Sequence, residues 1–354
     1  MSCGPRTFWI TVAVCAALCP QLTAAQPVAA PETMEADDDA MPWRGSSFAF
    51  TQLITASSLS KSAELSYDPY YAVRFELELQ WHFSKATRAS VWQALDLELT
   101  DSNTTTSRQL PQLLDTMLRL DTELWSHGPA ESHDATIVAG ATIVTPTSTA
   151  SQAATLLIGT GAHLAGTLSF AHVLHGAVLG LDGSYLRRFT ESTTVRADLP
   201  YPCFLGGDSA AQCTQLGGPT NLRDIFTLTL SGHLDFSERL SLAAATAIWW
   251  RQGYELAPAC ATISTGTVCL PDQSTTHWRN LLIVRAGLGY HVFDWLAVTL
   301  LAASFSPERS PDGRYRAPLH AIDTYFGLSA ELLFDKLYLR ARGRPDAAHP
   351  KSQP

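Results

Sequence analysis

Residues 70–83 alternate without interruption. Val73, Phe75, Leu77, Leu79 and Trp81 fall on one face, and Arg74, Glu76, Glu78, Gln80 and His82 on the other. Successive side chains of a strand point to opposite sides, so this period of two makes one face apolar and the other charged. A helix, with its period of 3.6, gives no such pattern. The same alternation predicts twelve strands, at residues 47–56, 70–83, 89–100, 113–125, 134–145, 154–169, 174–190, 224–235, 240–254, 277–291, 295–306 and 322–334. In the third, Val91, Leu95, Leu97 and Leu99 oppose Asp96 and Glu98. In the fourth, Leu114, Leu118, Leu120 and Leu124 oppose Asp115, Arg119, Asp121 and Glu123. In the eighth, Phe226, Leu228, Leu230 and Leu234 oppose Thr227, Thr229, Ser231, His233 and Asp235.

The links between these strands fall into two sets. Those after even-numbered strands are short, and several pair an aromatic with polar residues, as in Phe83-Ser84-Lys85, Phe236-Ser237-Glu238 and Phe293-Asp294. Those after odd-numbered strands are long, at 57–69, 101–112, 191–223, 255–276 and 307–321, with only the fifth-to-sixth link modest. Tight turns on one rim and long loops on the other are the pattern of a membrane-spanning barrel. The fold class expected is therefore all-β, a transmembrane antiparallel up-and-down β-barrel of about 12 strands, with 10 or 14 as the alternatives.

Charged residues make up 16% of the chain, below the usual quarter, and the mean hydropathy is +0.02. A helical membrane protein would be far more apolar, and a soluble domain would carry more surface charge. Residues 135–181 contain no Asp, Glu, Lys or Arg, but they hold Gly159, Gly161, Gly166, Gly176 and Gly180 with His163, His172 and His175. That composition suits strands with small inward residues better than a lipid-embedded helix. A net charge of −9 and the lack of any basic, aromatic-interleaved cluster exclude a nucleic-acid surface.

Arg6, the apolar run 8–18 and Thr23-Ala24-Ala25 fit a secretory signal over residues 1–25. An acidic, proline-containing periplasmic leader is expected at 26–45, the barrel at 46–334, and a tail or short extra strand at 335–354. Cys3, Cys15 and Cys19 leave with the signal, and the remaining cysteines fall in two local pairs, Cys203 with Cys213 and Cys260 with Cys269. Neither pair has a histidine among its cysteines, so two loop-stapling disulfides are expected, with no metal and no cofactor. Each would stabilise by about 2–3 kcal/mol in the chain-entropy model.

The segment 325–334, with Tyr325, Gly327 and a closing Phe334, resembles the terminal motif that the barrel-assembly machinery recognises in outer-membrane barrels. It departs from that motif in that further residues follow the aromatic. From residue 46 to 334 the chain resembles Gram-negative outer-membrane β-barrel proteins of the porin and transporter-like type. The resemblance implies a place in the outer membrane, with outer-membrane lipid and the assembly machinery as partners.

With polar faces inward, Glu76, Glu78, Asp96, Glu98, Asp115, Asp121 and Glu123 form a largely acidic wall around Arg74 and Arg119, and Arg251, Arg279 and Arg285 come from later strands. Acid facing base across water would orient polar solutes and make a channel or transporter for small ones. The same charges can instead pair across the interior and plug it. A surface recognition role for the stapled loops is the alternative. A hydrolase is the remaining one, with Ser169 beside His172 or Ser231 beside His233 as pairs to nominate. Trp81, Trp249, Trp250, Trp278, Trp295 and Tyr290 lie near strand ends, where interfacial belts place aromatic rings.

Overall fold

A computed structural model describes residues 41–55, 70–100, 109, 111–128, 135–194, 220–255, 260–263, 266–269, 278–307 and 324–342. The signal, most of the leader, and the Cys203 and Cys213 pair lie outside the described residues. In chain order the elements are β1 (Ser47–Thr55), β2 (Tyr71–His82), β3 (Thr87–Glu98), β4 (Pro111–Leu113), β5 (Thr116–His127), β6 (Ala135–Thr145), α1 (Thr149–Ala153), β7 (Leu156–Phe170) and β8 (Gly176–Thr190). There follow β9 (Leu222–Asp235), β10 (Leu240–Gly253), β11 (Cys260–Ile263), β12 (Gly266–Cys269), β13 (Trp278–Phe293), β14 (Leu296–Pro307), β15 (Thr324–Leu333) and α2 (Phe334–Ala341).

Twelve of these strands form a closed antiparallel ring. Each pairs with its neighbour in sequence, β3 passing over β4 to β5 and β10 over the β11–β12 hairpin to β13. The ring closes where β1 pairs with β15, Thr51 opposite Ser329 and Leu53 opposite Gly327. Closure leaves the twelve-strand ring itself without a free edge.

The faces sort as the alternation predicts. Leu79, Leu120, Leu124, Leu164, Leu230 and Leu300 stand outward and uncovered, Leu124 at 62% and Leu300 at 60% exposure. The charged Arg74, Glu76, Asp96, Glu98, Asp121 and Arg251 are buried instead. Such an inside-out arrangement is stable where hydrocarbon surrounds the wall and satisfies the outward leucines.

Four local readings change. The predicted fourth strand is two, β4 and β5, with Leu114 and Asp115 in the break between them. The break turns Leu114 inward, where it is buried with Trp92, Ala94, Met117 and Val144. Trp249 is no interfacial ring. It is buried with Ala247, Leu281 and Ile283, because the β10 register puts it on the face of Ala245 and Arg251. Finally, Phe334 opens α2 instead of ending a strand, and its N–H donates to the Ser46 carbonyl at 3.0 Å.

With β1 already occupying that edge of β15, no further strand has a partner, so the chain turns into a helix. Gly45 N–H donates to Asp335 Oδ2 at 3.2 Å, and the Trp43 and Tyr338 rings meet edge to face at 5.5 Å. Together these contacts clasp the first and last strands of the barrel at one rim of its seam.

Candidate functional site in the bore

In a ring of twelve strands each faces the one half-way round, so β3 faces β10 and β5 faces β13. The acids of β2, β3 and β5 therefore lie across the bore from the arginines of β10 and β13.

On the acidic arc, Arg74 Nε and Nη2 donate to the two oxygens of Asp96 at 2.6 and 2.7 Å, a bidentate pair, and Glu76 Oε1 lies 3.8 Å from Arg74 Nη1. Glu78 accepts from Gln80 Nε2 at 2.8 Å and Glu98 from Thr100 Oγ1 at 3.3 Å. A second cluster centres on Asp121. Arg88 Nε donates to it at 3.3 Å, and His163 Nε2 and Arg119 Nε lie 3.1 and 3.8 Å away. Arg119 Nη2 also reaches His163 Nε2 at 3.0 Å. Gly140 makes room for this cluster, since a Cβ there would strike His163 Cε1 and come within 2.5 Å of Asp121 Oδ1 and 2.7 Å of the Leu120 carbonyl. Glu123 sits half-buried lower on β5, beside the irregularity at Leu124.

Opposite, Arg251 is buried on β10, and Arg285 is on the same face of β13, opposite Ala245. Arg279 occupies the register position facing Arg251, and its side chain lies outside the described residues. Between these arginines and the acidic arc the inward positions are mostly small: Thr227, Thr229 and Ser231 on β9, Ala243, Ala245 and Ala247 on β10, Ala303 on β14 and Thr51 on β1. The bore is also not polar throughout. Trp249, Leu281, Ile283 and Phe305 form an inward apolar patch, and the Trp92, Met117 and Val144 group forms another on the facing arc.

Asp115 plays a different part from the strand acids. It lies in the break before β5, where it accepts from Ser148 N–H at 3.0 Å and from the Ser151 hydroxyl. Ser148 caps α1 by accepting from Ser151 N–H, and Arg188 Nη2 donates to Ser151 Oγ at 3.1 Å. Ser151 has no exposed surface. The modest fifth-to-sixth link thus folds as a small latch tied to β5 and β8 at the long-loop rim. Its sequence signal is Ser148 preceding Thr149-Ala150-Ser151, a serine cap before a short helix. Three further bore residues lie outside the sequence reading: Arg88, in the link between the second and third predicted strands, Asp182 on β8, opposite Ala165 and Thr229, and Arg188; His163, noted there only for composition, joins the Asp121 cluster.

The nominated Ser and His pairs are not joined. Ser169 Oγ is buried with no hydrogen-bond partner among the described residues, Ser231 Oγ donates to the Gly180 carbonyl at 3.5 Å, and His233 Nε2 pairs with Asp235 at 2.8 Å. Tyr325 and Gly327 lie on the inward face of β15, Gly327 against Leu301 and the Gln52 carbonyl. Cys260 and Cys269 are register partners in the β11–β12 hairpin.

A closed twelve-strand antiparallel ring with an apolar outer belt and a charged, buried interior is the architecture of a transmembrane β-barrel. No family model matches the chain, and no curated protein matches it in sequence. Among solved structures it is similar to an outer membrane channel from Pseudomonas putida F1, at 11% identity over 86% of this chain and 100% of that one, with a TM-score of 0.48. It is also similar to the NanC porin, at 8% identity over 80% of this chain and 98% of that one with a TM-score of 0.45. LpxR from Salmonella typhimurium shares 11% identity over 81% of this chain and 100% of its own, with a TM-score of 0.37.

Proposed function

We propose that the barrel lies in the outer membrane of a Gram-negative cell, short turns toward the periplasm and long loops at the surface, and acts as a passive channel or transporter for small polar solutes. The observation that carries this reading is the division of the bore. Glu76, Glu78, Asp96, Asp121 and Glu123, with Arg74, Arg88 and Arg119 among them, line one arc, Arg251 and Arg285 the facing one, and most positions between them are small. Opposed charge across a narrow aqueous path gives a field transverse to the path, which orients a dipolar solute and slows apolar ones. The inward patches around Trp92 and Trp249 add apolar contacts on either side.

Neither nominated Ser–His pair forms a nucleophile–base contact, so those pairs lend a hydrolase reading no support. Full-length protein reconstituted into planar lipid bilayers tests the channel reading. Discrete current steps are expected. An absence of current in the wild type and in Glu76→Gln and Asp121→Asn variants would sink it.

A surface recognition role rests on a separate observation, the β11–β12 hairpin with Cys260 opposite Cys269. Directly opposed residues of an antiparallel pair have Cα atoms about 4.5–5.5 Å apart, inside the range a disulfide spans. Deleting residues 259–271 separates the roles: a channel keeps or gains conductance, whereas a recognition barrel loses partner binding.

A further inference from the structure

On the outer wall, where hydrocarbon-facing leucines are the rule, β8 and β9 carry a charged cluster at their long-loop ends. Arg187 lies opposite Asp224 in the β8–β9 register, and its Nη1 donates to Asp224 Oδ1 and Oδ2 at 2.8 and 2.9 Å. Arg223 Nε donates to Asp224 Oδ2 at 2.7 Å, and Tyr185 OH to Oδ1 at 2.8 Å. Neighbours in a strand normally point to opposite faces, so Arg223 and Asp224 should not meet. They meet because the β9–β10 register shifts there, Gln252 opposite Asp224 but Gly253 opposite Leu222, which leaves Arg223 as an extra, re-aimed residue.

Three observations give the cluster a ligand. Its formal charge is positive, two guanidiniums against one carboxylate. Asp224 is nearly buried at 7% side-chain exposure, whereas Arg187 and Arg223 keep 34% and 25%, so unused N–H groups remain accessible. Its height is fixed from below by the outward Leu181, Leu228 and Leu230 and at its own level by Phe226, whose ring lies 4.8 Å from that of Tyr185. Aromatic rings above an apolar belt mark the level of lipid headgroups.

We propose that Arg187 and Arg223, held by Asp224, bind the phosphate of a lipid headgroup in the loop-side leaflet. Two planar guanidiniums fixed by one carboxylate present charge-assisted donors outward, and the lipid's acyl chains lie along the leucines beneath. Asp224 opposes the incoming anion, and its role is to fix the two guanidiniums in place. The site is independent of what passes through the bore.

Full-length protein in detergent micelles, titrated by native mass spectrometry with phosphatidic acid, phosphatidylcholine and inorganic phosphate, tests it. The wild type is expected to prefer phosphatidic acid over phosphatidylcholine by about fivefold or more, with inorganic phosphate failing to compete. Arg187→Gln with Arg223→Gln should abolish the preference, and Arg187→Lys with Arg223→Lys should retain part of it. Heat-modifiable gel mobility identifies folded protein, and if the Gln variant does not fold, the wild type and the Lys variant decide. An equal affinity for both lipids, an unchanged preference in a folded Gln variant, or displacement by inorganic phosphate would overturn the proposal.

Discussion

The Arg74–Asp96 pair offers a sharp test of how the bore is held together. Arg74 is 2% exposed and gives two short hydrogen bonds to Asp96. Asp96→Ala removes both acceptors and leaves a buried guanidinium, a change that costs about 3–5 kcal/mol in protein interiors. Glu76, 3.8 Å from Arg74, supplies a substitute charge, so the expected loss is at the lower end, about 3 kcal/mol. Replacing both partners, Arg74→Met with Asp96→Leu, removes the orphaned guanidinium but leaves the buried Glu76 without its cation, so the double variant should recover only part of the loss and sit about 1–2 kcal/mol below the wild type. Urea unfolding from lipid vesicles, followed by tryptophan fluorescence, measures both. A single substitution costing under about 1 kcal/mol, or a double one as damaging as the single, would refute the reasoning.

Gly140→Ala should destabilise by about 1–3 kcal/mol in the same assay, because its Cβ meets the Asp121–His163 cluster and a backbone carbonyl that cannot move aside. Gly183→Ala, where nothing lies within 4 Å of the new Cβ, should be neutral or stabilise by about 0.4–1 kcal/mol. Ser151→Val should cost about 1–3 kcal/mol by leaving Asp115 and Arg188 without their hydroxyl partner, and loosening the α1 latch should alter single-channel noise. Intact-mass and alkylation analysis of unreduced protein should find Cys260 and Cys269 protected, and Cys260→Ser should free Cys269.

The strands were legible in the sequence wherever the two faces differ in polarity. β2 and β9 match their predicted spans to within two residues because charge or threonine alternates with leucine along their whole length. Along Ala243-Ala244-Ala245-Thr246-Ala247-Ile248-Trp249-Trp250 both faces are apolar or small, so a period of two shows a strand but not which tryptophan turns inward. The acids of the bore could be named because an ionised side chain in mid-strand has no place in the hydrocarbon. The apolar patches could not, since leucine or tryptophan inward reads the same as leucine or tryptophan outward. The break at Leu114 and Asp115 and the α1 latch depend on hydrogen bonds between segments distant in sequence, which periodicity does not register.

The central claim is an open bore with acid on one arc and arginine on the facing one. The reversal potential across a planar bilayer under a KCl gradient measures it directly. Arg251→Gln with Arg285→Gln is expected to move the potential toward cation selectivity, and Glu76→Gln with Asp121→Asn toward anion selectivity, each from a conducting wild type. A barrel that passes no current, or whose reversal potential stays fixed through both pairs of substitutions, would contradict it.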